Sequence, residues 1–362
     1  MTDFQPIHGG QLHQIADRFG VPVSGLLDFS ANINPEGPPA AVLSCLRASL
    51  EDDSMIENYP DLDETRLREL LARYVAVRPQ NIAVANGFVP LLEAALRVLP
   101  VRRCLLPVPA FVEYRRVLER VGIEITTQDL DSSSGFVYDV GSLVTESHDA
   151  ILLANPQNPS GALCPPEKAL QIVEEAAQRG ILVLLDEAFI DYCAEASLSR
   201  EINRFPNLIV FRSLTKFFGM AGLRVAYAVT NEEICKRMQA AIAPWSVTSL
   251  ASLAAGQAVQ DELYARRMIR LNSERREYIR KAIEKLGIEV YSSAANFLLL
   301  RFPGRIDCRN LWERLILTHR IVLRNCANYE GLDSQHLRAA VRGHIDNERL
   351  VEALSREVER EQ

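Results

Sequence analysis

Leu208-Ile209-Val210-Phe211 runs straight into Arg212-Ser213-Leu214-Thr215-Lys216, and Gly222-Leu223-Arg224 follows closely. Four apolar residues in a row read as a buried strand. Lys216 then falls on the turn at the strand's end, where a rigid scaffold presents functional groups. A lysine in such a place is by default a solvated side chain, but this one is accompanied by two hydroxyls and an arginine. Two upstream segments repeat the arrangement. Ile181-Leu182-Val183-Leu184-Leu185 ends in Asp186-Glu187-Ala188, as a central parallel strand delivers a carboxylate to its C-terminal tip, although Asp after a strand also serves as a helix N-cap. Ala150-Ile151-Leu152-Leu153-Ala154 ends in Asn155-Pro156-Gln157-Asn158-Pro159-Ser160-Gly161, whose composition is that of a turn.

Outward from these three, apolar runs alternate with amphipathic stretches. Strands are expected at Ile82–Ala85, Cys104–Pro107, Ile123–Thr127, Ile151–Ala154, Ile181–Leu185, Leu208–Phe211 and Val225–Val229. Helical periodicity marks Leu91–Leu99, Val112–Val121 and Lys168–Gln178. The pattern predicts an α/β fold whose mainly parallel, seven-stranded sheet binds ligands at its carboxyl edge. Glu232–Ile283 reads as a long helix broken at Pro244. Short runs at Gly287–Val290, Phe297–Arg301, Ile321–Leu323 and Leu337–Val341, with helices between, predict a small α+β domain. The expected division is an extended N-terminal segment (residues 1–40), a large domain (41–245), and a linking helix with a small C-terminal domain (246–362).

Composition narrows the function. The chain has 362 residues, 48% of them hydrophobic, enough for a large core and long for one domain. A formal net charge of −7 argues against nucleic-acid binding through counterion release. The seven cysteines show no Cys-x-x-Cys spacing and the six histidines no ligand spacing, so neither a disulfide framework nor a metal site is expected. No apolar run reaches the roughly 18–20 residues of a membrane span, and the first residues lack signal-peptide character. A cytoplasmic protein with no membrane partner is the expectation.

The three strand-end segments suit one cofactor, pyridoxal 5'-phosphate. A lysine amine condenses with an aldehyde, hydroxyls and an arginine hold a phosphate monoester, and a carboxylate keeps a pyridine nitrogen protonated. In their order and spacing, Asn-Pro-x-Asn-Pro-Ser-Gly, Asp-Glu-Ala, and Ser-x-Thr-Lys with a downstream Arg resemble the fold-type I class I/II aminotransferase family. The resemblance implies that Lys216 carries the cofactor, Asp186 pairs with its ring nitrogen, and Asn158 meets its ring oxygen. Ser213, Thr215 and Arg224 would hold the phosphate. Asn86-Gly87-Phe88, followed by Pro90 at a helix start, would add N–H groups to the phosphate site. The family usually places a small or acidic residue where Phe88 stands, so a polar contact is lost there. Phe111 aligns with the aromatic that stacks on the ring, and Phe189 stands where aminotransferases commonly have a tyrosine.

Both ends of the chain extend the likeness. His8-Gly9-Gly10, Phe29-Ser30-Ala31-Asn32, Pro244-Trp245-Ser246-Val247, Arg324-Asn325-Cys326 and Leu337-Arg338 resemble the threonine-phosphate decarboxylases of cobalamin biosynthesis, with the histidinol-phosphate aminotransferases as near relatives. A cyclase or lyase of another pathway is a further alternative. The first likeness implies that Arg338 holds the substrate carboxylate, with His8, Asn32 and Arg324 around its phosphate and carboxylate. Tyr59 would reach the cofactor phosphate of a neighbouring subunit in a homodimer. Without the resemblance, His8 reads as a solvated side chain and the two arginines as partners of surface carboxylates.

Overall fold

The fold is described from a computed structural model covering residues 8–145 and 147–361. Its centre is a seven-stranded sheet of β1 (Ile82–Ala85), β2 (Arg103–Val108), β3 (Glu124–Asp129), β4 (Ala150–Ala154), β5 (Leu182–Asp186), β6 (Leu208–Ser213) and β7 (Ala226–Val229). The spatial order is β1-β7-β6-β5-β4-β2-β3, and β7 alone runs opposite to the rest. Every residue of β4 and β6 is buried, which explains the unbroken apolar runs of β4 and of Leu208–Phe211 in β6, since a strand covered on both faces has no polar side to alternate with. Ile151, Leu153, Val183, Leu185 and Val210 feed one core, and Leu152, Leu184, Ile209 and Phe211 the other. Register sets Asp186 beside Ala154 on one side and Phe211 on the other. The polar turns therefore leave one edge together.

A second, antiparallel sheet pairs Arg324–Asn325 with His336–Ala340, that strand with Phe297–Arg301, and the latter with Glu289–Val290. Here the structure departs from the expected elements. Ile321-Val322 leaves this sheet and pairs in parallel with Leu27-Asp28, while the indole N–H of Trp312 takes the carbonyl of Leu323 between the two pairings. The N-terminal segment is not simply extended: Leu12–Phe19 forms a helix whose Ile15 and Ala16 enter the same core as Leu298 and Leu337. The long helix is three helices, Glu232–Ala241, Ser249–Ala258 and Glu262–Glu284, because Thr248 and Asp261 each cap a new start through their side chains. No helix among the described residues is long and apolar enough to cross a membrane.

Candidate active site

At the carboxyl edge of the large sheet, where it meets the second sheet, lies a cavity of about 350 Å³. His8, Asn32, Gly87, Phe88, Phe111, Asn158, Asp186, Ser213, Thr215, Lys216, Arg224, Arg324 and Arg338 all line it. The main chain sews its rim together. Asn34 N–H donates to the Lys216 carbonyl at 3.0 Å, and Asn34 Nδ2 to the Phe217 carbonyl at 2.8 Å. Gly9 lies so close on the Ser30 carbonyl that an added Cβ would stand 2.0 Å from that oxygen. No larger residue fits between the two segments.

One expected ligand falls off the cavity, and a second, Tyr59, is expected only at a neighbouring subunit's cofactor. Asn86 is exposed and off the cavity wall, because Gly87, at φ 99°, turns the chain so that helix α1 (Phe88–Val98) starts at the cavity and Asn86 points away. Tyr59 is 79% exposed, its ring 4.7 Å from that of Trp245, and it does not line this chain's cavity.

Gly87 has a second consequence. A Cβ there would sit 2.8 Å from Arg224 Nη2, so the missing side chain lets the guanidinium lie against the helix start. Arg224 itself is left-handed, at φ 58°, a strained conformation of the kind held at functional sites. Across from it Ser213 Oγ and Thr215 Oγ1 are 2.8 Å apart. A cationic fork, two hydroxyls and a helix N-terminus together form a cup for a phosphate monoester dianion.

Lys216 sits deeper. Burial, with Arg338 and Arg224 nearby, lowers its pKa to about 8. The neutral amine needed for attack on an aldehyde is thus accessible near physiological pH. In cofactor-free protein, acylation of Lys216, followed by mass spectrometry of its peptide, should rise to half its maximal rate near pH 8. A midpoint near that of an ordinary lysine, two units or so higher, would contradict this placement.

Asp186 is the cavity's buried carboxylate. Tyr114 Oη donates to its Oδ2 at 2.5 Å, and Ala188 N–H to its Oδ1 at 2.9 Å. Burial pushes its pKa up to about 6, against the pull of those donors and of Lys216. On the opposite wall Arg338 donates to Asn158 Oδ1 at 2.5 Å and to Tyr329 Oη at 3.3 Å, its guanidinium 5.0 Å over the Phe297 ring. Asn158 therefore keeps its amide nitrogen as the donor for a ligand. Arg324 donates to Asn328 Oδ1 at 2.8 Å and lies over Tyr329 at 5.2 Å. His8 Nε2 meets Glu113 Oε1 at 3.0 Å, and burial lowers the imidazole's pKa. Phe189 packs edge-on against Phe297 at 5.0 Å and offers no hydroxyl.

Motif reading missed Tyr114, Glu113, Ser30 and Tyr329. Tyr114 and Glu113 lie in helix α2 (Val112–Arg120), immediately after Phe111, so proximity to that aromatic was the signal available. Ser30 anchors the N-terminal turn by accepting from Gly10 N–H at 2.9 Å.

The model of the aminotransferase class I and II family matches residues 24–356. The chain belongs to this family. It is 37% identical to the threonine-phosphate decarboxylase of Salmonella typhimurium, over 98% of this chain and 97% of that one. It is 31% identical to the histidinol-phosphate aminotransferase of Nitratidesulfovibrio vulgaris, over 98% and 94% respectively. The solved L-threonine-O-3-phosphate decarboxylase of Porphyromonas gingivalis matches with a TM-score of 0.82 at 25% identity, covering 91% of this chain and 99% of that one. As in the rest of the class I/II family, the cofactor is pyridoxal 5'-phosphate.

The site fits that cofactor. The phosphate cup and the buried carboxylate match its two polar ends, and a Cβ on Gly87 would fill the cup. Gly87→Ala should therefore weaken cofactor binding about tenfold or more, as strain at positive φ and displacement of Arg224 add up. Equilibrium dialysis of the variant would measure this, and an unchanged dissociation constant would remove Gly87 from the phosphate site.

Proposed function

We propose that this enzyme decarboxylates L-threonine O-3-phosphate, giving (R)-1-amino-2-propanol O-phosphate and CO₂. The observation that carries the reading is the pairing of Arg324 with Arg338. They are register partners on adjacent antiparallel strands, and both are buried. Like charges directly opposite one another destabilise a sheet, the more so when buried. An arrangement that costs stability without a ligand is explained by a ligand with two anionic ends. A phosphorylated amino acid has them, and guanidinium forks match both.

The bound cofactor withdraws electrons from the bonds at the substrate's Cα. The chain's residues choose which bond breaks. Arg338, braced by Asn158, Tyr329 and the Phe297 face, anchors the α-carboxylate. Arg324, with His8 and Asn32, takes the phosphate. Asn32 is buried on the same wall, where its amide N–H group would donate to a phosphate oxygen. Lys216 delivers the proton to Cα after CO₂ departs, and Asp186 keeps the ring nitrogen protonated. Phe189, lacking the tyrosine hydroxyl common in aminotransferases, and the His8-Gly9-Gly10 turn favour decarboxylation over amino transfer. Tyr59, exposed beside Trp245, is assigned to the cofactor phosphate of a second subunit.

The test is to incubate the pyridoxal-phosphate-loaded enzyme with L-threonine O-3-phosphate and quantify CO₂, keto acid and amine together. The expected products are CO₂ and aminopropanol phosphate. Keto-acid formation from histidinol phosphate and 2-oxoglutarate, with no CO₂ from threonine phosphate, would make it an aminotransferase, the reading that the 31% identity to such an enzyme keeps in view.

A further inference from the structure

Tyr114 is 1% exposed, and its hydroxyl is the one side-chain donor to Asp186 among the described residues. With Oδ2 held by that hydroxyl and Oδ1 by Ala188 N–H, the carboxylate is fixed in rotation and in the lone pairs it turns to the cavity. The phenol ring is itself clamped. Phe88 packs on it with ring centroids 5.6 Å apart, and Phe111 meets it edge-on at 5.5 Å. Phe88 opens helix α1 beside the phosphate cup and also packs edge-on against Phe211 at 5.4 Å. One tyrosine thus touches the residue at the phosphate end, the aromatic assigned to the ring face, and the carboxylate assigned to the ring nitrogen. This gives the unusual Phe88 a use: where a polar residue would reach for phosphate, an aromatic ring braces Tyr114.

We propose that Tyr114 is a positioning residue that holds Asp186 ionised and aligned toward the cofactor's pyridine nitrogen. A hydroxyl donated to a carboxylate favours the charged form, and short O–H···O⁻ bonds are the stronger kind. The other groups facing Asp186 are the Ala188 N–H, the Lys216 amine from the turn after β6, and the Tyr138 hydroxyl from the segment before Val140–Leu143. Tyr138 donates to the Ala154 carbonyl at 2.8 Å and accepts from Ala154 N–H at 3.1 Å, so it is committed to the backbone. Without the Tyr114 hydroxyl the carboxylate would be a stronger base and would draw the proton of a bound ring nitrogen toward itself. The ring would then withdraw less, and the nitrogen of Lys216, once attached to it, would be more basic.

The inference rests on the role assigned above to Asp186, and the test separates the two. Tyr114→Phe keeps every ring contact and removes only the hydroxyl, so the variant should fold, as near-UV circular dichroism will verify. Visible absorbance of the pyridoxal-phosphate-loaded protein is titrated against pH with no amino acid present. The midpoint in Tyr114→Phe should rise by about one unit, the scale of one charge-assisted hydrogen bond. Tyr138→Phe, which loses an equally buried hydroxyl, should titrate like the wild type. Turnover in Tyr114→Phe should fall roughly tenfold, through kcat more than KM. A wild-type midpoint in Tyr114→Phe, with a shifted one in Asp186→Asn, would reduce Tyr114 to packing. Wild-type midpoints in both would overturn the role of Asp186 and this inference with it.

Discussion

Lys216→Ala is expected to lower turnover of threonine phosphate by at least about 10³-fold while leaving substrate binding nearly intact. In the proposed reaction the amine has two tasks: attachment of the cofactor and return of a proton to Cα. Positioned proton transfer alone contributes about 10²–10⁴, and loss of covalent attachment adds to it. The proposed anchors for the substrate's two charges, Arg338 and Arg324, stand on the other sheet, away from the substitution. The variant should therefore bind threonine phosphate, as seen by calorimetry, yet release almost no CO₂. Added methylamine, small enough to enter the emptied space, should restore part of the rate. A kcat within tenfold of the wild type would mean that another base does the work, and the site assignment would have to be redrawn.

Asp186→Asn should cost about 10²–10³ in kcat, the range for removing a preorganised charge at a reacting centre. It should also stabilise the cofactor-free protein. A carboxyl whose folded pKa is raised above its unfolded value resists ionisation, so its cost is absent below pH 4 and complete above the folded value of about 6. The difference of roughly two units corresponds to about 3 kcal/mol at neutral pH. Asparagine does not ionise. Its oxygen still accepts from Ala188, and its amide can donate to the Tyr114 oxygen. Thermal melts of cofactor-free protein at pH 7 and pH 4 are the check. The variant should melt several degrees higher at pH 7, and the gap should close toward pH 4. A gap independent of pH would mean that Asp186 is not destabilised as its burial implies.

Much of the large sheet was legible because its rule is local. An apolar run ending in polar residues marks the carboxyl edge of a parallel sheet, and three such runs brought Asp186, Asn158, Ser213 and Lys216 to one place. The second sheet was less legible. Residues 321–322 pair with Leu27-Asp28 and residues 324–325 with the Arg338 strand, while the Leu323 carbonyl between them goes to a tryptophan N–H, and all of these partners are distant in sequence. Asn86 was misplaced because adjacent residues on a turn point apart, and the φ of Gly87 decides which one faces the cavity. Tyr114 could not be told from a core residue, since a helix buries tyrosines and leucines at the same period. Its meaning lies in the one oxygen it meets.

The close seating of Gly9 on Ser30, and the pairing of Leu27-Asp28 with Ile321-Val322, bear on how this enzyme comes into being. The cavity wall is built from positions near opposite ends of the chain, His8 and Asn32 from one and Arg324 and Arg338 from the other. Contacts of such sequence separation carry the largest loop-closure entropy and form late. The large sheet, whose strands all lie between residues 82 and 229, can fold before them. By this ordering the phosphate cup and lysine should gain protection from hydrogen exchange during refolding before the Arg324–Arg338 wall does. Cofactor capture can precede completion of the fold, while substrate recognition is reserved for the finished molecule.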